Sequence, residues 1–181
     1  MKLGAKELRA SRPTRTDLAK IKRRDIYIIC DNILDTYNIG SIFRLADAVG
    51  VKKIYLCANT ETPPNSRISK SSVGTDKWVT WQYIASAKTA ISNLKFLISN
   101  VRVIAVEQSP KAVDYRKVNY KQSFSSNKEP VAFVVGHETS GVSKEALKLC
   151  DQIVEIPMYG VNRSLNVMVS LAIVLYKAVE F

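Results

Sequence analysis

Histidine is almost missing from this chain: His137 is the only one among 181 residues. A zinc centre would therefore need unusual ligands, and a Ser-His-acid set has nothing to orient its lone imidazole. Cysteine is also scarce. Cys30, Cys57 and Cys150 are odd in number and widely spaced, which excludes a disulfide frame and a metal cluster and suits buried thiols in a reducing cytosol. Long apolar runs are lacking too. The longest, Leu165 to Val179, falls short of the ~20 residues a bilayer crossing needs. The opening stretch, MKLGAKELRASRPTR, has no apolar secretory core. The expectation is a cytoplasmic protein with no membrane segment and no metal.

Acidic residues are under-represented, with 16 against 27 basic ones, giving a formal charge of +11. Charge of this sign biases the choice of partner toward a polyanion, and RNA or DNA is the commonest. The length suits a single domain with its own core. Residues 1–24 read as a short basic arm, carrying Lys2, Lys6, Arg9, Arg12, Arg15, Lys20, Lys22, Arg23 and Arg24 against Glu7 and Asp17. Within it Arg12-Pro13 breaks any helix. Of these residues Lys20, Lys22, Arg23 and Arg24 lie nearest the folded part and are the candidate nucleic-acid contacts.

From residue 25 to 181 the pattern becomes that of an α/β domain. Ile26 to Cys30, Lys53 to Leu56, Trp78 to Ile84, Val101 to Val106, Val131 to Val135 and Ile153 to Ile156 read as strands. A helix is expected from Ile39, with Ile42, Phe43, Ala46 and Val49 on its apolar face and Gly50 at its end. Further helices are expected over Ala85 to Asn100, with Leu97 and Ile98 on its apolar face, and over Ser143 to Leu149 and Leu165 to Glu180. Ala58 to Asp76 reads as a long polar loop, and Gln108 to Glu129 as loop with a short helix near Val113. Strands alternating with helices predict a parallel sheet covered on both faces. The last helix is apolar nearly all round, which fits burial in a core or a subunit interface.

In such sheets, ligands sit beyond the carboxyl ends of the strands. The unusual polar residues gather there: Asn38 and Arg44 after the first strand, Gly136, His137, Glu138 and Gly141 after the Val131 strand, and Met158 to Asn166 after the Ile153 strand. GHETSGVS, Gly136 to Ser143, has the glycine spacing of a phosphate loop, but Val142 stands where the lysine belongs, which disfavours a nucleotide triphosphatase. A turn with Ser143 capping the next helix is the alternative there. Arg44 has two readings, a site residue or a surface partner of Asp47. Asn38 either caps its helix or touches a ligand, and Ser164 and Asn166 either cap the last helix or hold a ligand. No acidic neighbour of Glu138 is evident at its strand end. What remains is group transfer by positioning and electrostatics.

Three segments resemble the motifs of the SpoU branch of SPOUT RNA methyltransferases: NIGSIFRLADAVGV, Asn38 to Val51; VVGHETSGVS, Val134 to Ser143; and IPMYGVNRSLNVMVSLAIVLY, Ile156 to Tyr176. AVDYRKVNY, Ala112 to Tyr120, and SSVGTDKWV, Ser71 to Val79, are most similar to tRNA guanosine-2'-O-methyltransferases. The resemblance implies a parallel sheet with a C-terminal trefoil knot, an exception to the rule against threaded chains. It also implies a homodimer with sites near its interface, S-adenosylmethionine as cofactor, and methyl transfer to a ribose 2'-hydroxyl of RNA, with tRNA favoured over rRNA. By position it makes Arg44 the catalytic arginine, with Asn38, Glu138, Ser164 and Asn166 organising the site. Gly136, His137, Glu138, Gly141, Ile156, Met158, Ser164 and Leu165 would hold the cofactor. His137 stands where an amide is common and Met168 where a small residue is usual. The sequence also ends straight after the third motif, where longer tRNA-specific relatives carry an RNA-binding extension. The alternatives are a catalytically silent RNA-binding relative and an unrelated nucleotide-binding α/β protein.

Overall fold

The computed structural model describes residues 13–120 and 129–179. Expectations for the first twelve residues, for 121–128 and for the last two residues, Glu180 among them, lie outside the described residues. Strand β1 (Arg24–Asp31) is buried along nearly its whole length, as a strand covered on both faces must be. Its alternate residues serve two cores. Ile26, Ile28 and Cys30 pack on one side against Ile39, Ile42 and Phe43 and against Leu171, Val174 and Leu175. Tyr27 and Ile29 pack on the other against Ala90, Ile91, Leu94 and Ala146.

The remaining strands are β2 (Val51–Cys57), β3 (Trp81–Ile84), β4 (Arg102–Val106), β5 (Val113–Asp114), β6 (Val131–Gly136) and β7 (Gln152–Glu155). Their order is β3-β2-β1-β6-β4-β7-β5, and every pair is parallel. The helices are α1 (Arg15–Lys20), α2 (Thr36–Val49), α3 (Ser66–Ser72), α4 (Ala87–Leu97), α5 (Lys144–Leu147) and α6 (Val167–Val179). The chain winds outward in one direction through β2 and β3, then fills the opposite side of β1. The strand order therefore reverses beside β1, and a crevice is expected there.

Several boundaries differ from the sequence expectation. Helix α2 starts at Thr36, because Asp35 accepts the Tyr37 N–H at 2.8 Å and caps it. Asn38 is thus a buried residue inside the helix, not its cap. Gly50 ends α2 in the left-handed region, as expected. The stretch read as a loop, 58–76, contains α3 and a 3-10 turn (Thr75–Lys77). Serine-rich sequence is a poor helix former, but packing overrides it here. Asn65 caps α3 through Arg67 and Ile68 N–H groups, and Ile68 is fully buried. A Cβ on Gly40 of α2 would lie 1.9 Å from Ser71 Oγ, so the two helices meet backbone to side chain. Helix α4 ends at Leu97, which is 73% exposed and so lies off the apolar face assigned to it. Near Val113 the chain forms strand β5 and a 3-10 turn (Tyr115–Lys117), not a helix on Val113 itself.

Candidate active site

The loop after β6 is built by a close approach of two backbones. A Cβ on Gly136 would lie 2.2 Å from Gly141 C and Val142 N, so nothing but glycine fits without moving the loop. His137 and Gly141 exchange two backbone hydrogen bonds, 3.1 and 2.8 Å. His137 Nδ1 accepts the N–H groups of Thr139 and Ser140, at 3.0 and 3.3 Å, as an asparagine oxygen does in an Asx turn. That accounts for histidine where an amide is common, and it leaves the ring proton on Nε2. Ser143 caps α5 and donates its N–H to Asp31 Oδ2 at 2.8 Å.

Glu138 leaves this loop to meet α2. Its carboxylate accepts the Asn38 Nδ2–H at 3.0 Å and the N–H groups of Asp35 and Leu34 at 3.1 and 3.3 Å. Burial alone would raise its carboxyl. The hydrogen bonds from Asn38 and from backbone outweigh that and hold it below the usual range. An ionised carboxylate only accepts, so Asn38 must turn its amide nitrogen to Glu138 and its oxygen away. That oxygen accepts the Asn166 Nδ2–H at 2.9 Å. The Asn166 oxygen in turn accepts the Met168 and Val169 N–H groups, at 2.9 and 3.4 Å, and caps α6. Capping and site organisation are therefore the same interaction. One directional relay ties the three motifs together. Met168 packs partly buried on the α2–α6 core.

Beside the relay lies a cleft of about 430 Å³ at the carboxyl ends of β4, β6 and β7, within the range of small-ligand sites. Gly136, His137, Glu138, Gly141, Ile156, Met158, Ser164, Leu165 and Asn166 all line it. Glu107, Gln108 and Glu155 line it as well. The expectation that Glu138 has no acidic neighbour is thus corrected. Three glutamates from three strand ends share one cleft, and no lysine or arginine lines it. Glu107 closes the loop from below, accepting the Val142 N–H at 2.7 Å and the Gln108 N–H at 2.9 Å. Gln108 donates to the Arg163 carbonyl and so fastens the loop before α6. Glu107 and Glu155 could have been found as carboxylates at the end of buried strands, the reasoning that singled out Glu138.

Arg44 does not line the cleft, and neither does Asn38. Arg44 is exposed on α2 and makes no ion pair among the described residues. Its suggested partner Asp47 is engaged by Arg23 at 3.2 Å and by Trp78 Nε1–H at 3.0 Å. Of the arm residues, Lys20 and Lys22 are exposed, Arg23 is held by Asp47, and Arg24 is the first residue of β1. Arg116 is clamped by Asp114 at 2.5 Å and donates to Tyr159 Oη at 3.3 Å, beside the third motif. The hydrogen bonds from the Arg116 side chain depress the Asp114 carboxyl to about 2. Burial pushes the Cys57 and Cys150 thiols up to about 12. Among the described residues no group of His, Cys, Asp and Glu is arranged to hold a metal, and no helix is long and apolar enough to cross a membrane.

Comparison with known proteins converges on one group. Residues 25–176 match the SpoU rRNA Methylase family. The tRNA (guanosine(18)-2'-O)-methyltransferases of Aquifex aeolicus (strain VF5) and Escherichia coli (strain K12) are 32% and 31% identical over 160 residues. Those matches cover 87% of this chain, but 70% and 64% of the two relatives. A crystal structure of the A. aeolicus TrmH/SpoU tRNA modifying enzyme superposes with a TM-score of 0.75 at 29% identity, covering 96% of this chain and 80% of that one. The chain belongs to the SpoU rRNA Methylase family.

Proposed function

We propose that this protein is an S-adenosylmethionine-dependent RNA ribose 2'-O-methyltransferase that acts on tRNA. Family membership supports the reaction class, and the names of the relatives support tRNA over rRNA. The observation that carries the reading is the cleft itself. It is acidic within a basic chain, walled by backbone at Gly136 and Gly141, and tied to α2 through Asn38. That donor set fits a small organic cation and fits a nucleotide triphosphate poorly. Gly136, His137, Glu138, Gly141, Ile156, Met158, Ser164 and Leu165 would hold the cofactor. Bound there, S-adenosylmethionine supplies a methyl group already activated on a sulfonium.

The chain's own residues do the rest. Glu138, Asn38 and Asn166 fix the entry to α2 and the start of α6 in one geometry. Ser164, whose hydroxyl makes no hydrogen bond with the described residues, faces the cleft and is free to meet the ribose. Arg44, being an arginine, makes a poor general base. Its planar fork suits another role, in which it holds the 2'-hydroxyl and a neighbouring phosphate together and passes the hydroxyl proton to that phosphate. Because Arg44 lies on α2 outside its own chain's cleft, the reading includes a homodimer in which each Arg44 serves the interface. The exposed apolar stripe of α6, with Val169 and Tyr176, supports such a contact. The basic arm over residues 1–24, with Lys20, Lys22, Arg23 and Arg24, is read as an RNA-binding appendage to a single domain over 25–181. The C-terminal segment is read as the trefoil knot of the family, and the protein as cytoplasmic.

Arg44→Ala tests the mechanism. Methyl transfer should fall by about 10²–10⁴-fold, while cofactor affinity measured by calorimetry stays within a few-fold. Arg44→Lys should fail similarly, since lysine lacks the fork. Near-normal transfer by Arg44→Ala would refute the role. A wild-type protein that binds RNA but transfers no methyl would point to the silent relative instead.

A further inference from the structure

The charge of the cleft is opposite to that of the chain. Glu107, Glu138 and Glu155 line it with no lysine or arginine, in a protein of formal charge +11. The three are not equivalent. Glu138 is spent on Asn38 and two backbone N–H groups. Glu107 accepts backbone N–H groups from Val142 and Gln108, which bring no positive charge to cancel its own. Glu155, half-buried at the end of β7, makes no side-chain hydrogen bond and no ion pair with any described residue. A partly buried carboxylate without a partner is costly unless something positive joins it. The RNA backbone is the wrong sign. The described residues give no metal cluster.

We propose that Glu155, helped by Glu107, discriminates the charge state of the cofactor, binding the sulfonium form more tightly than the neutral thioether left after transfer. This rests on the methyltransferase reading above. The chemistry gives the discrimination a use. Transfer forms the O–CH₃ bond, breaks the S–CH₃ bond, returns that bond's electron pair to sulfur and releases the hydroxyl proton. The bound molecule thereby goes from net +1 to net zero, while its adenosine and amino-acid ends are unchanged. Backbone dipoles at Gly136 and the third motif sense that change more weakly than full charges do. Carboxylates sense it strongly, because their attraction acts on charge and is strong in a partly dry site. The spent form is then held less tightly and gives way to fresh cofactor.

Calorimetry on the full chain with three ligands tests this. They are S-adenosylmethionine; sinefungin, which carries an amine in place of the methylated sulfonium; and S-adenosylhomocysteine, the neutral thioether. The wild type should prefer the two charged ligands, with a preference that shrinks as salt rises. Glu155→Gln, which removes charge but no hydrogen bond, should weaken both charged ligands by about tenfold and leave the thioether unchanged. Glu107→Gln keeps an acceptor for Val142 N–H but not the one that Gln108 N–H uses, and should still give a smaller loss of the same kind, greater for the two charged ligands than for the thioether. An equal loss for all three ligands would mean that these residues act through shape, and would overturn the proposal. So would an unchanged preference in Glu155→Gln. A wild type that binds none of the three would overturn the methyltransferase reading as well, whereas equal wild-type affinity for all three would overturn the charge discrimination alone.

Discussion

At the scale of single residues, the relay from Glu138 through Asn38 to Asn166 carries the site's geometry. Asn38 is 7% exposed and offers both its donor and its acceptor to it. Asn38→Ala leaves partners unpaired at both ends and should destabilise the fold by about 1–3 kcal/mol, read as a lowered melting temperature. Asn38→Asp sets an acceptor against Glu138 and should cost more at neutral pH than in mild acid, where one carboxyl is protonated. Equal melting temperatures for wild type and Asn38→Ala would contradict the relay. The sign of the pH effect follows from Glu138. Its folded-state value is lowered, so its stabilisation is complete above the ordinary carboxylate range. It is lost as pH falls through the lowered value. Asn38, Glu138, Ser164 and Asn166 stand out in the sequence because polar groups abut buried segments there. The bonds that join Glu138, Asn38 and Asn166 do not, since the atoms that meet are separated by 100 and 128 residues.

At the scale of elements, the parallel sheet is legible because its strands are short apolar runs divided by helical periods. Helix α3 is not. Its composition argues for loop, and only the approach of Gly40 to Ser71 and the burial of Ile68 make it a helix. Glu107 and Glu155 can be placed at strand ends from the sequence, but their meeting in one cleft was hidden for a related reason: they come from different strands, and strand order is not written in any local pattern. The loop over Gly136 to Ser143 is the element on which the proposed cofactor binding turns. In Gly136→Val the new side chain would enter the backbone of Gly141 and Val142, displacing the loop and the cleft wall it forms. Cofactor binding should be lost by more than about tenfold, beyond a single poor contact, while the far-ultraviolet dichroism of the sheet persists. Unchanged affinity in the folded variant would rule the cleft out as the cofactor site.

At the scale of the molecule, Arg44 and the cleft lie apart within one chain, and α6 keeps apolar side chains exposed although its other face is in the core. The proposed second copy would resolve both. Sedimentation at micromolar concentration should give a dimer, and replacing Tyr176 and Val169 by charged residues should shift it toward monomer with loss of transfer but little loss of fold. A stable wild-type monomer would remove the shared site. Methyl transfer to a ribose is what the cleft, the relay and Arg44 are together held to perform. Labelled methyl transfer from S-adenosylmethionine to unmodified tRNA, followed by digestion and identification of the modified nucleoside, tests it without intermediary. The expected outcome is label on a 2'-O-methylated nucleoside of tRNA, with rRNA fragments labelled far less. Label on a base, or no label on any RNA from a protein that still binds the cofactor, would contradict it.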